Sequence, residues 1–358
     1  IYSKEKQGGI SNYWYEVTCR AIKNLNFDCF FYEEKGAELN LCRNSISIDE
    51  NCLINHLQLP PLLARLQSLS IPINDFFIYH SSFYRPVKNK VNFSEVTTIH
   101  DFIHNYYAPV HKRLLHNRLK YGAIKRSEGV ICVSQNTCND LYAIFGPLKH
   151  KEVAVIHNGV SNDYHPLDNS LYDNESIIDT LKLRDAKFLI YVGGRTNYKN
   201  FDFAVKLLDQ LPKFKLVVVG GALTEKELKT ISPAILNQIV VSSFITNKDL
   251  NVLYNHAHCL IYPSSYEGFG IPVIEAMRAG CPVIALNKSS IPEIAGNAAL
   301  LHNNLDVTHF AQSVKYLDDS SVRSDLIAQG FVQSENYSWD KCAEDTLNFY
   351  KHIYSKQH

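Results

Sequence analysis

The sequence predicts an α/β protein built as two doubly wound, parallel-sheet domains facing each other across a cleft. Three observations carry that expectation. Short runs rich in β-branched and aromatic residues alternate with helical stretches from end to end, the pattern of parallel strands covered by helices on both faces. The alternation breaks once, at 158–178, where Gly159, Pro166 and many Asn, Asp and Ser residues mark a linker. The length of 358 residues suits two domains of roughly 100–200 residues each.

In chain order, strands are expected at 76–79, 96–99, 129–133 and 153–156, with helices over 11–23 and 111–126 between or before them. The second half repeats the style. Strands are expected at 188–192, 215–219, 239–241, 259–262 and 282–285, and helices at 201–210, 248–256, 272–279 and 306–317. The expected domains are 1–160 and 161–335, with a C-terminal helix at about 336–358 packing back on the first. In such sheets ligands sit at the carboxyl ends of the strands, which places the site in the cleft.

Composition narrows the function classes. Thirty-six basic residues balance thirty-six acidic ones, and a nucleic-acid partner calls for a basic excess. The nine cysteines are odd in number and hold no C-x-x-C pair, which fits reduced thiols in a cytoplasmic protein better than a disulfide framework or a zinc cluster. No apolar run is long enough to span a bilayer, and no secretory leader opens the chain. The first residue is Ile1, so the natural start is expected upstream.

The most informative stretch runs from Tyr262 to Gly280. It follows a predicted strand and opens a helix. Pro272 suits the first helical position and Gly280 the helix end. Gly268 and Gly270 let backbone approach a ligand, and the free N–H groups of the first turn favour an anion such as a diphosphate. Glu267 in the loop and Glu275 in the first helical turn would then accept hydrogen bonds from ligand hydroxyls, as of a ribose or a sugar. The phosphate charge needs cations. Arg195 and Lys199, just past the strand at 188–192 and beside Gly193 and Gly194, supply them. Read alone, Glu275 is also an ordinary first-turn acid, and a glycine-rich turn before a helix is common in wound domains. No two aspartates stand two positions apart, so the usual carboxylate clamp for a metal-bound diphosphate is missing from the sequence. That pattern points to a metal-independent site where fixed positive groups and a helix terminus hold the leaving group.

These residues resemble a known family. Glu267 and Glu275, with seven residues between them, resemble the E-x7-E motif of retaining glycosyltransferases of family 4, which have the GT-B fold of two Rossmann-like domains. The likeness covers nearly the whole chain. Gly8-Gly9-Ile10-Ser11 resembles the first glycine-rich loop and Thr98-Ile99-His100-Asp101 the histidine-bearing strand end. Val133-Ser134, 156–160, 289–296 and Tyr337-Ser338-Trp339 fit as well. The Arg195–Lys199 spacing of four is shorter than in many members. The resemblance implies roles: Glu267 on hydroxyls of the transferred sugar, Glu275 on the ribose, Arg195 and Lys199 on the diphosphate. Backbone N–H groups around Phe269, Gly270 and Ile271 would help hold it. His100 would lie near the reacting sugar, and Gly9 would let the first loop approach the phosphates or the acceptor. It further implies a UDP-, GDP- or ADP-sugar donor, no metal, and a glycan or lipid-linked acceptor in surface polysaccharide synthesis. Attack on the face from which the diphosphate departs would retain the anomeric configuration.

Smaller signals keep two readings. His100, like His80 and His157, ends an apolar run and can be a structural hydrogen-bonder instead. The segment 104–126 carries Tyr106, Tyr107, Lys112, Arg113, Arg118, Lys120, Lys125 and Arg126. It reads either as a solvated helix or as an amphipathic basic face peripheral to the inner face of the plasma membrane. Two rival functions use the same architecture: a nucleotide-sugar epimerase, and a non-catalytic nucleotide-sugar-binding subunit. The first would need ring acid/base groups that the sequence does not display. The second should have lost the charges at 195, 199, 267 and 275.

Overall fold

The computed structural model describes residues 2–3, 8–24, 27–34, 36–55, 67–89, 92–168, 176–243 and 245–356, with positions 55, 112, 115 and 176 described in backbone only. Residues 169–175 of the predicted linker and the side chain of Lys112 lie outside the described residues. Chain contacts separate two compact units, Ile1–Gly159 with Trp339–His358, and Val160–Ser338.

In the first unit, β1 (Phe31–Glu33) and β2 (Leu53–Asn55) form a parallel pair. Strands β3 (Phe77–His80), β4 (Phe93–Ile99), β5 (Gly129–Cys132) and β6 (Glu152–Val155) form a parallel sheet in that order. The register pairs Ile99 with Cys132 and Cys132 with Val155, so these strands end level with one another. β4 is longer than the apolar run at 96–99 foretold, because Ser94 and Glu95 are buried in it. A buried carboxylate needs a partner, and Glu95 accepts from Arg126 Nε at 2.9 Å and Nη2 at 3.0 Å. Helices α1 (Gly9–Lys23), α2 (Leu41–Asn44), α3 (Ile103–Tyr107), α4 (Val110–Arg126) and α5 (Gln135–Phe145) complete this part. α1 buries Tyr13, Val17 and Ala21, one face at a spacing of four. The C-terminal helix Trp339–Ser355 packs on α1 and on β3 and β4.

The second unit holds a six-stranded parallel sheet of β7 (Phe188–Val192), β8 (Lys215–Val219), β9 (Ile239–Ser242), β10 (Cys259–Tyr262), β11 (Val283–Leu286) and β12 (Leu300–His302). Their spatial order is β12-β11-β10-β7-β8-β9. The chain runs outward from β7 on one side and from β10 on the other, so the order reverses between these two strands. Helices α6 (Ser176–Thr180), α7 (Phe201–Leu207), α8 (Glu225–Thr230), α9 (Pro233–Leu236), α10 (Asn247–His256), α11 (Ile271–Arg278), α12 (Ile291–Ala295), α13 (Val307–Tyr316) and α14 (Ser320–Glu335) follow in turn. Leu189, Tyr191, Leu216, Val218 and Ile261 of the sheet pack against Phe203, Leu207, Phe310 and Val314 of α7 and α13. The helix expected over 201–210 ends at Leu207 and tightens into a 3₁₀ turn, Leu208–Gln210, as helix C-termini often do.

Candidate active site

The second unit assembles most of the residues singled out from sequence. Two segments meet where the strand order reverses, the place where open parallel sheets bind ligands. One follows β7 and carries Gly194, Arg195 and Lys199. The other follows β10 and carries Glu267 to Ile271. Asn200 stitches them together. Its amide donates to the Pro263 carbonyl and to Ser265 Oγ, each at 2.7 Å, and Ser265 N–H donates to the Tyr198 carbonyl at 2.7 Å. Asn200 adopts a left-handed backbone, φ 51°, which asparagine tolerates better than most residues.

Across this seam Lys199 Nζ donates to Glu267 Oε1 at 2.7 Å, with side chains only 16% and 9% exposed. The ammonium also lies 5.7 Å from the Tyr262 ring centre. Two serines fix the backbone that presents Glu267. Ser289 Oγ donates to the Glu267 carbonyl at 2.5 Å, and the fully buried Ser290 reaches the Glu267 and Phe269 carbonyls at 3.0 and 2.8 Å. The Phe269 ring is buried edge-on against Tyr337.

Gly270 caps α11 with φ 105°, a conformation glycine takes without a Cβ clash. Ile271 therefore becomes the first helical residue. Pro272 is the second rather than the first, and Glu275 stands one position further in than the sequence suggested. Glu275 is thus not a first-turn acid. Its carboxylate accepts from the Tyr254 hydroxyl at 3.3 Å. Burial pushes its carboxyl up to about 7, although hydrogen bonds from Tyr164 and Tyr254 pull the other way. Gly280 ends the helix with φ 79°.

Arg195 is held by its own unit. Nε donates to Glu227 Oε1 at 2.8 Å and Nη1 to the Gly221 carbonyl at 2.6 Å, while Nη2 donates to the Ala222 carbonyl. Glu227 is itself fixed in a capping box with Thr224 at the start of α8. A guanidinium has five N–H groups, so one remains on each terminal nitrogen. Gly193 rather than Gly194 takes the unusual backbone, φ 134°, and a Cβ on Gly194 would meet only open space.

Gly9 and His100 belong to the first unit. Gly9 is exposed as the first residue of α1, where Gly8 N–H and carbonyl both bond to Ser11 Oγ at 3.0 Å. His100 follows β4, its ring edge-to-face with Tyr13 at 4.9 Å. Burial holds its imidazole neutral, down at about 4, with the Asp101 charge acting against the shift and Lys120 with it. His80 is not an open cleft group, since both ring nitrogens are engaged, by Tyr350 and Thr98.

The basic segment is only partly exposed. Lys120 is buried and donates to the Asp101 carbonyl at 2.6 Å, bracing the turn after His100, and Arg126 is spent on Glu95. Among described side chains, the exposed face of α3 and α4 mixes apolar Tyr106, Tyr107, Val110 and Leu114 with His111 and Arg118. Lys125 is exposed as well, so basic and apolar side chains share this surface. No helix among the described residues is long and apolar enough to cross a membrane. Asn200, Glu227, Tyr254 and Ser290 were not singled out from sequence, although Asn200 directly follows Lys199 and Ser290 lay in the stretch 289–296.

Residues 8–164 match the model of Glycosyltransferase Family 4, and residues 173–332 that of Glycosyl transferases group 1, so the two together cover most of the chain. The O-antigen chain mannosyltransferase B of Escherichia coli is 27% identical over 330 residues, 84% of this chain and 82% of that protein. The serotype-specific mannosyltransferase WbdA of the same species is 26% identical over 235 residues, 63% of this chain but only 29% of WbdA. Among solved structures, HepE of Anabaena, in complex with UDP and glucose, shares the fold with a TM-score of 0.73 at 14% identity over 96% of both chains.

Proposed function

The chain belongs to glycosyltransferase family 4 and has the GT-B fold, and from that premise we propose that it transfers a hexosyl group from a nucleotide-diphosphate sugar to a hydroxyl of a glycan or lipid-linked acceptor, retaining the anomeric configuration. The observation that carries this reading is the Lys199–Glu267 pair at the reversal of strand order, stitched by Asn200. A carboxylate beside a lysine suits a ligand with hydroxyls at one end and phosphate at the other. Glu267 takes sugar hydroxyls and Glu275 the ribose diol. Lys199, the two remaining Arg195 N–H groups and the start of α11, which has no side-chain cap, take the diphosphate. Gly9 lets the start of α1 approach donor or acceptor, and neutral His100 serves the reacting sugar.

In the reaction the bond from the anomeric carbon to the diphosphate breaks and the acceptor oxygen bonds on the same face. The acceptor proton passes to the departing phosphate oxygen. Fixed cations stabilise the leaving charge, so no metal is required. The mannosyltransferase relatives make mannose the first sugar to try and surface polysaccharide the first product class. Exposed Tyr106, Val110 and Leu114 beside Arg118 support peripheral contact with an anionic bilayer, which vesicle co-sedimentation of L114E tests.

Thermal melting against UDP-, GDP- and ADP-sugars in EDTA tests the donor. A ligand at about 100 times its Kd adds roughly 2.7 kcal/mol. A selective rise in Tm, with transfer to a glycan acceptor in the same buffer, supports the proposal. No shift with any nucleotide sugar, or transfer only after a divalent cation is added, overturns it.

A further inference from the structure

A chain of hydrogen bonds in the first unit runs from the C-terminal helix to the ring that packs on His100. The Tyr350 hydroxyl lies 2.5 Å from His80 Nδ1, and His80 Nε2 lies 3.0 Å from Thr98 Oγ1. Thr98 Oγ1 lies 3.1 Å from Tyr13 Oη.

Burial takes the His80 imidazole down to about 3, so the ring is neutral, with one nitrogen donating and the other accepting. A single proton order therefore runs through Tyr350, His80, Thr98 and Tyr13. The chain starts on the helix Trp339–Ser355, through Tyr350, and its inner members Tyr13 and Thr98 are buried. The phenol thus fixed sets the Tyr13 ring edge-to-face with His100, at 4.9 Å and 81°.

We propose that Tyr350 and His80 are positioning residues for His100, acting through Thr98 and Tyr13, so that the C-terminal helix shapes the active site without touching substrate. The proposal rests on the reading that His100 serves the reacting sugar.

The test uses the full chain carrying Tyr350→Phe, which removes the hydroxyl bonded to His80 and keeps the ring. Nitrogen-15 NMR of labelled histidine reads the His100 imidazole directly, and its signals shift in the variant. Transfer kinetics read the consequence. Tyr350→Phe lowers kcat about tenfold, as a small misplacement of a reacting group does, with donor KM within about twofold. In the His100→Ala background it lowers kcat no further. A merely structural loss would lower kcat equally in both backgrounds and leave the His100 signals in place. Either of those results overturns the proposal. Should Tyr350→Phe not fold, Thr98→Val breaks the next links and is read the same way. Full activity of His100→Ala would instead sink the role given to His100, while the NMR comparison would still decide whether the chain positions it.

Discussion

Replacing Lys199 by methionine isolates the contact on which the site reading turns. The change keeps the length of the side chain and removes its charge, leaving the Glu267 carboxylate at the sheet switch point without its 2.7 Å partner. Removing one partner of a fully buried pair costs about 3–5 kcal/mol. The pair here keeps 16% and 9% of its side-chain surface exposed, so solvent screening brings the expected loss below that range, to about 2–3 kcal/mol. At about 2–4 °C per kcal/mol for a domain of this size, Tm should fall by about 4–12 °C. The decisive comparison is the double variant. Lys199→Met with Glu267→Gln leaves no unpaired charge, so it should melt above Lys199→Met alone. Both should be catalytically dead while Glu267→Gln alone still folds. The reasoning is refuted if the double variant loses the sum of the two single losses, because the lysine would then not be neutralising that carboxylate.

Other expectations follow from the same geometry. The folded-state carboxyl of Glu275 is raised from 4.5 to about 7, so at low pH, where both states are protonated, it costs nothing, and its cost grows as pH rises from the unfolded value through 7. Wild type should therefore lose on the order of 3 kcal/mol relative to Glu275→Gln between pH 4 and 8, and equal pH profiles in urea melts would rule this out. If ribose hydroxyls donate to the ionised Glu275, donor KM should also fall as pH passes 7 in wild type and stay flat in that variant. Arg195→Ala should lower kcat by about 10²-fold with little change in fold, checked by single-turnover transfer and circular dichroism. Ser290→Ala removes the hydroxyl that reaches both the Glu267 and Phe269 carbonyls. It should cost about 1–3 kcal/mol and raise donor KM, read by melting and by initial rates.

The strands of the second unit were legible because each is a short apolar run that the sheet buries on both faces, and β7, β8 and β10 fall at the expected positions. β4 was only half legible, since Ser94 and Glu95 hide a strand whose buried carboxylate depends on Arg126, 31 positions away. In the site, the motif residues could be read from local spacing, but their supports could not. Lys199 and Glu267 are 68 positions apart, Asn200 and Pro263 are 63 apart, and Arg195 and Glu227 are 32 apart. Such pairs become visible only when the sheet order is known. The register of α11 was misjudged by one residue because Gly270, not Ile271, takes the left-handed cap. That single step takes Glu275 out of the first turn, and its burial, which raises the carboxyl against the hydrogen bonds of Tyr164 and Tyr254, comes from residues distant in sequence.

The central claim is same-face transfer held by Glu267, Arg195 and Lys199 without a metal, and the anomeric configuration of the product tests it most directly. The nucleotide sugar that raises Tm is incubated with a glycan acceptor in EDTA, and the one-bond carbon–proton coupling at the new anomeric centre is read by NMR. Wild type should yield a product with the donor's configuration, and Glu267→Gln should not. A product of inverted configuration, or one formed equally well by the Glu267→Gln variant, would contradict it.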